Sequence, residues 1–352
     1  MRLLTFFLTT LASFCATVLH ASPGPITFRF DGVVGQILID EGPPIPGVVP
    51  GSTFAGAYTF NPLAVDTAMA EYQARNTGTQ ESQFAMLKRL ELSYPDFRRL
   101  KAYCDRRGVC FLSTPDEEDS ADFLESLDVP AFKIGSGELT NLPYLAHLAR
   151  KGRPLILSTG MGDLAEVRAA VETIRAHGEP PLAVLHCVSN YPTDPADCNL
   201  GAMTTMSREL GVLVGFSDHT VGLAVPLAAV ALGAYLIEKH LTLDRALPGP
   251  DHAVSATPDE LHRLVEGIRS VEAARGDGVK APRPSELPTR ELVRKSLVAR
   301  ATITPGARID ADMLRALRPA TGISPADLAR VVGRRTRRQI RAGEMITWEA
   351  LE

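Results

Sequence analysis

The chain of 352 residues is poor in cysteine and in aromatic side chains, with five cysteines, one tryptophan and 6% Phe, Trp and Tyr together. Cys15, Cys104, Cys110, Cys187 and Cys198 are odd in number and show no CxxC or zinc-like spacing. That pattern excludes a disulfide framework and predicts buried thiols. Long apolar runs are absent after Leu19, which excludes a polytopic membrane protein. No excess of one charge dominates: the net charge is −4, with 45% hydrophobic and 22% charged residues and a mean hydropathy of +0.02. These values are those of a globular chain and exclude wholesale disorder. At roughly 150 residues per domain, the length fits a barrel-sized domain with a small appendage.

The charge is unevenly placed. From Arg290 onward there are 13 Arg and Lys against 7 Asp and Glu, so this tail carries +6 and the first 289 residues carry −10. Such a tail can meet nucleic acid, present arginines to a small anion, or be a solvated basic face. No aromatics interleave Arg334-Arg335-Thr336-Arg337-Arg338, so no base-stacking platform accompanies the charge and nucleic acid is not expected as a partner.

Residues 1–21 have the form of a signal peptide: Arg2, an uncharged run from Leu3 to Leu19, and Ala21 before Ser22-Pro23-Gly24. The run of 17 residues is at the lower limit for spanning a bilayer, so an uncleaved anchor is the alternative and the only route to a membrane. Residues 22–62 alternate (Ile26-Thr27-Phe28-Arg29-Phe30) between Gly/Pro-rich turns such as Gly42-Pro43-Pro44-Ile45-Pro46-Gly47, which predicts short antiparallel strands.

After residue 80 apolar strand-like runs alternate with amphipathic stretches, the signature of a parallel sheet with crossover helices. Six strands are predicted, at Val109–Ser113, Ala131–Ser136, Pro154–Thr159, Leu182–Cys187, Leu213–Asp218 and Tyr235–His240, their starts 22 to 31 residues apart. Each ends in polar or catalytic-type groups, and in a parallel barrel those ends share one rim, where such enzymes keep their chemistry. Closure takes eight strands. The fold class is therefore α/β, a TIM-type barrel lacking its first two strand-helix units over residues 63–275, whose place is held by the unrelated N-terminal segments. A Gly/Pro-dense linker at 276–290 leads to a compact β-rich domain at 291–352.

His219 and His240 lie 21 residues apart, one strand-helix unit, so both imidazoles project from neighbouring strand ends. Two imidazoles with open positions suit a Lewis-acid ion such as Mn²⁺ or Mg²⁺, with Asp218, Glu238 and Asp251 at hand to orient the rings. Rim histidines also serve as hydrogen-bonded structural residues. Lys133, Thr114, Ser136, Ser158, Ser189 and Ser217 put one ammonium and several hydroxyls on the same rim, a cradle for a phosphate or carboxylate, though serines after strands also cap and turn. Glu138, after a Gly-rich turn, can hold hydroxyls or relay protons, or be an ordinary helix-start acid.

The segments Phe132-Lys133-Ile134-Gly135-Ser136-Gly137-Glu138, Leu157-Ser158-Thr159-Gly160-Met161, His186-Cys187 with Tyr191-Pro192-Thr193, Gly215-Phe216-Ser217-Asp218-His219-Thr220, Glu238-Lys239-His240 and Gly249-Pro250-Asp251-His252 together closely resemble the N-acetylneuraminate (sialic acid) synthases and their legionaminate-making relatives. Tyr72-Gln73-Ala74-Arg75-Asn76-Thr77-Gly78 fits as well, and Arg318-Pro319 with Gly322-Ile323-Ser324-Pro325 resembles their C-terminal antifreeze-like domain. The resemblance covers residues 63–352.

It implies a condensation of phosphoenolpyruvate with open-chain N-acetylmannosamine or a related diacetamido hexose, releasing phosphate, in the cytoplasm. It further implies that His219 and His240 hold the divalent metal; that Thr114, Lys133, Ser136, Ser158, Ser189 and Ser217 grip phosphoenolpyruvate; that Glu138, Tyr191 and Asp251 position the sugar; and that Arg318 arrives from the partner in a domain-swapped homodimer. Glu138, His240 and Arg318 are the catalytic candidates. The family's N-terminal Glu-Ile-Gly, Asn-His and Lys-Phe-Gln motifs do not occur here, which predicts impaired activity. The export-like N-terminus supports a second reading, a secreted or anchored non-catalytic remnant acting as a binding or interaction module.

Overall fold

A computed structural model describes residues 68–352 apart from Gly108, together with the backbone of two strands near the N-terminus, β1 (Thr5–Phe7) and β2 (Phe14–Leu19). The rest of the signal-like segment, and all of residues 22–62 with their expected antiparallel strands, lie outside the described residues. The chain divides into two compact units, Met1–Gly276 and Asp277–Glu352. Among the described residues no helix is long and apolar enough to cross a membrane.

In the first unit five parallel strands form the half-barrel: β3 (Phe132–Ile134), β4 (Leu155–Ser158), β5 (Leu182–Cys187), β6 (Leu213–Asp218) and β7 (Leu236–Leu241). The sheet is open, in the order β1-β2-β7-β6-β5-β4-β3. A sixth strand was expected at Val109–Ser113, but this segment forms none; a single backbone bond, Lys133 N–H to Ser113 O at 3.4 Å, joins it to β3. A strand needs a ladder, and among the described residues no strand pairs with the other side of this segment. On the opposite flank β2 runs antiparallel to β7, pairing Cys15 with His240 and Thr17 with Glu238.

Helices α1 (Glu71–Thr77), α2 (Gln83–Leu90), α3 (Tyr94–Arg107) and α4 (Glu118–Ser126) precede β3, and α5 (Leu142–Arg150), α6 (Leu164–Ala176), α7 (Gly201–Leu210), α8 (Ala224–Ala231) and α9 (Pro258–Arg275) follow successive strands. Local chemistry sets their starts: Asn141 caps α5, while Asp163 with Glu166 and Thr257 with Glu260 close reciprocal capping boxes on α6 and α9. Helix α1 is an element the sequence pattern did not announce; its seven residues end at Gly78, whose φ of 67° is the left-handed conformation that terminates helices.

Alternation along the strands makes two layers. Phe132, Ile134, Leu155, Leu157, Val184, Phe216 and Ile237 join the large core with the helices, whereas Ala131, Ile156, Leu185 and Leu236 form a separate cluster with Leu112. By the same parity Lys133, Ser158, Cys187, Ser217, Glu238 and His240 sit on the face of that second cluster. Asp218 and Lys239 sit on the helix-side face. There they form a buried ion pair at 2.7 Å, and Lys239 also donates to Thr220 O.

The second unit contains α10 (Leu287–Val293), the antiparallel pair β8 (Ser296–Ala299) and β9 (Leu314–Leu317), and α11 (Leu328–Val331), around a core of Leu297, Ile303, Ile309, Leu314, Ile340 and Ile346. Much of its pairing is by single bridges, such as Ile303 with Ile340 and Thr336 with Leu351. Arginines of the basic tail bind its own carbonyls: Arg308 reaches Gly333, Arg335 reaches Gly306, Arg337 reaches Leu351 and Arg334 reaches Glu352. Much of the tail's charge thus fastens a region with little regular sheet.

Removing one member of a buried ion pair leaves the other uncompensated, at a cost of about 3–5 kcal/mol, while replacing both with apolar groups is near neutral. Asp218→Ala is therefore expected to lose about that much stability in urea unfolding, and Asp218→Leu combined with Lys239→Met to regain most of it.

Candidate active site

Register brings the two histidines together. Ser217 pairs with Glu238 and Asp218 with Lys239 between β6 and β7, so His219, one residue beyond β6, stands beside His240. Their ring centroids are 5.3 Å apart at an interplanar angle of 71°. His219 Nδ1 lies 2.7 Å from Val188 O, which leaves Nε2 for the site, and buried His240 Nδ1 has no hydrogen-bond partner. Burial lowers the pKa of His219 and, reinforced by His219, lowers that of His240 further, so both rings are neutral and carry lone pairs. The acids expected to orient the rings mostly do other work. Asp218 holds Lys239, and Glu238 accepts from Ser217 at 2.7 Å; only Asp251 approaches a ring, 4.0 Å from His240 Nδ1. Burial pushes Asp251 up to about 7 and leaves its Oδ1 without a partner.

Lys133 is 3% exposed. Its ammonium donates to Ser158 Oγ at 2.7 Å and Ile134 O at 2.9 Å and lies 3.6 Å from Glu238 Oε2, so one of its three N–H groups remains for a ligand. Ser217 spends its proton on Glu238. Ser136 accepts from the Gly160 amide at 2.9 Å and touches Cys187 Sγ at 3.2 Å. A Cβ on Gly160 would overlap Ser189 Oγ and crowd Ser136 Oγ and Cys187 Sγ at 2.9 and 3.0 Å, so these three groups converge over one glycine. Thr114 is buried, with its methyl group 3.8 Å from where a Gly135 Cβ would stand. Glu138 ends the short helical turn Ser136–Glu138 before α5 and accepts from Asn141 Nδ2 at 2.7 Å.

Tyr191 stacks on His219 with centroids 4.0 Å apart and meets His240 edge-on at 5.5 Å. Arg318 follows β9 in the second unit.

Residues the sequence reading did not assign complete the surroundings. Tyr72 stacks on Tyr191 at 4.7 Å, and Asn76 donates to Pro250 O at 2.6 Å and Tyr191 O at 3.3 Å, tying two rim loops to α1. Half-buried Asp116 has a buried, unpartnered Oδ2, and burial with the Glu138 charge raises its pKa well above the usual carboxylate value. The motif around Tyr72 was visible, but nothing in its spacing says which loops it meets. Among the described residues no group of three or more His, Cys, Asp and Glu forms a metal cage, and the four described cysteines form no disulfide with one another.

Residues 57–280 match the NeuB family, and residues 294–352 match the SAF domain. The chain belongs to the NeuB family. Members of this family are phosphoenolpyruvate-dependent transferases that form carbon–carbon bonds. The chain is 45% identical over 308 residues to the N,N'-diacetyllegionaminic acid synthase of Legionella pneumophila, covering 85% of this chain and 86% of that one. It is 36% identical over 250 residues to the N-acetylneuraminate-9-phosphate synthase of Homo sapiens, covering 70% and 69%. A crystal structure of N-acetylneuraminic acid synthetase from Leptospira borgpetersenii, in complex with citrate, matches at 35% identity with a TM-score of 0.56 over 58% of this chain and 72% of that one.

Overpacking at a glycine this confined costs about 1–3 kcal/mol. Gly160→Ala is expected to lose that much stability by urea unfolding, whereas Gly137→Ala, where a Cβ meets nothing within 4 Å, stays within about 0.5 kcal/mol of the parent.

Proposed function

We propose that this NeuB-family chain condenses phosphoenolpyruvate with the open-chain aldehyde of an N-acetylated hexose, N-acetylmannosamine or a 2,4-diacetamido hexose, and releases phosphate. The observation that carries this reading is two neutral imidazoles 5.3 Å apart on the same sheet face as the Lys133 ammonium and the Ser158 hydroxyl bonded to it. Likeness to a protein named N,N'-diacetyllegionaminic acid synthase favours the diacetamido acceptor.

The orphaned Nδ1 of His240 and the neutrality of both rings fit a divalent cation, Mn²⁺ or Mg²⁺, with His219 and His240 as its protein ligands. When bound, such an ion would supply Lewis acidity for the sugar aldehyde. Lys133, Thr114, Ser136, Ser158, Ser189 and Ser217 line the phosphoenolpyruvate subsite, with the Lys133 charge and the hydroxyls other than Ser217, whose proton goes to Glu238, as its donors. Glu138, Tyr191 and Asp251 place the sugar so that its carbonyl carbon faces C3 of the enol. As the C–C bond forms, positive charge develops at C2, water adds there and loses a proton, and phosphate departs from the resulting tetrahedral centre. Glu138 is the group assigned to that proton. No covalent enzyme intermediate is required, so preorganised charge is the main contribution of these residues.

On this reading residues 63–275 are a synthase barrel without its first two strand-helix units, residues 276–290 are the linker and residues 291–352 are the antifreeze-like domain. Arg318 serves substrate held by a second copy, in a domain-swapped homodimer. The absent Glu-Ile-Gly and Lys-Phe-Gln motifs remove one carboxylate and one phosphate-binding cation. At about 3–4 kcal/mol per lost transition-state contact, turnover is slow.

Phosphate release is measured with phosphoenolpyruvate, Mn²⁺ and each acceptor in turn. Slow release is expected, faster with the diacetamido hexose, and abolished by a chelator or by His240→Ala. Equal rates in the parent and His240→Ala would refute the reading.

A further inference from the structure

The hydroxyl of Ser136 has one proton and two lone pairs to place. One lone pair is taken: the Gly160 amide donates to Ser136 Oγ at 2.9 Å. Cys187 Sγ lies 3.2 Å from the same oxygen. Cys187 is 5% exposed, and burial raises its pKa against the opposing pull of Ser136 and Lys133, so it remains an S–H donor. If the thiol donates, both lone pairs of Ser136 are occupied and its proton must point away from Gly160 and Cys187. If Ser136 instead donates to sulfur, it turns an unfilled lone pair outward, toward any approaching anion. Only the first arrangement suits a phosphate or carboxylate. An anion arriving beside Lys133 therefore favours the state in which sulfur gives and oxygen passes a proton on.

Space at this point is tightly held. A Cβ on Gly160 would overlap Ser189 Oγ and crowd both Ser136 Oγ and Cys187 Sγ, so the glycine lets hydroxyl, thiol and second hydroxyl approach one another. Cys187 ends β5 and shares its sheet face with Ser158 and Lys133, which are joined at 2.7 Å. The thiol stands buried at a strand end, with Ser136 Oγ 3.2 Å away.

We infer that Cys187 is a positioning residue for anion binding, its thiol locking the Ser136 hydroxyl as an outward donor to the phosphate or carboxylate of the substrate. This rests on the phosphoenolpyruvate reading of the site but concerns only its anion. Sulfur never touches the ligand; it acts through Ser136. A side chain that merely fills space would be replaced by alanine or serine with a loss of stability alone.

The test uses the full chain with Mn²⁺ and two probes, phosphoenolpyruvate and inorganic phosphate, by calorimetric binding to the parent, Cys187→Ala, Cys187→Ser, Ser136→Ala and the Ser136→Ala/Cys187→Ala double variant. Cys187→Ala is expected to weaken both probes about tenfold, equivalent to about 1.4 kcal/mol. Cys187→Ser, which keeps a donor, should recover most of that, and Cys187→Ala should add nothing once Ser136 is gone. The infrared S–H stretching band should shift when phosphate binds the parent, and the shifting component should be missing from Cys187→Ser. Equal affinities in the parent and Cys187→Ala, additive losses in the double variant, or an unmoved S–H band would overturn the inference. Binding of phosphate without phosphoenolpyruvate, with the coupling intact, would uphold it while removing the substrate reading. A parent that binds neither probe would remove both.

Discussion

The register between β6 and β7 is the constraint on which the site depends. Two polar pairs hold it from opposite faces of the sheet. Ser217 bonds Glu238 on the site face, and one residue further along each strand Asp218 pairs with Lys239 on the helix side. A slip of one residue would turn every side chain of β7 to the other face. It would place Lys239 in the cradle and His240 among the helices. Gly215 lets the strands come this close, because a Cβ there would overlap Leu236 O and leave Leu185 Cδ2 only 2.7 Å away. The histidine pair thus follows from strand pairing before any ligand arrives.

The ion pair also shows how the sheet allocates its polar groups. A lysine and an aspartate buried together earn little net stability over apolar residues of similar size, but each is very unfavourable without the other. Their effect is on alternatives: a register that separates them strands two charges among Phe216, Ile237 and the helices. On the site face the opposite holds. Lys133, Glu238 and Ser217 are incompletely matched, with Glu238 Oε2 lacking a hydrogen bond and Lys133 retaining a donor. The helix side is electrostatically closed and the site side is left with capacity for a ligand.

Much of this was legible because strand period and strand ends are local. Four of the six expected strands have a parallel neighbour on both sides or a register partner along their length, and β3 survives as three residues on the bonds it makes to β4. Val109–Ser113 has the same apolar composition but no ladder, since pairing is a property of the neighbour and not of the segment. Residues at strand ends could be placed on one face by counting alone, which is why Lys133, Ser158, Ser217 and His240 were within reach. Their bonding was not. Whether Asp218 orients a histidine or neutralises Lys239 depends on one step of parity between two strands. The role of Asn76, which spans to Pro250 across 174 residues, leaves no trace in spacing. The basic tail was legible as charge, but the carbonyls that take up Arg308, Arg335 and Arg337 become partners only once the second unit has folded.

Charge on the site face is finely balanced. On the site face of the described strands the Lys133 ammonium stands with Glu238 Oε2 only 3.6 Å away. A carboxylate that near offsets part of the attraction Lys133 can offer. Neutral donors gain importance in consequence, and among them orientation decides the sign of the interaction, because a hydroxyl that turns its lone pair to an anion repels it. Ser217 is committed to Glu238 and Ser158 accepts from Lys133, which makes Ser158 a better donor outward by polarising its O–H. The proton of Ser136 has a choice of directions, and its neighbours over Gly160 make the choice. With its ammonium partly offset by a carboxylate, this face relies on how its hydroxyl protons are aimed, and the β5 strand end, with Cys187 inside and Ser189 two residues on, is one place where that aim is set.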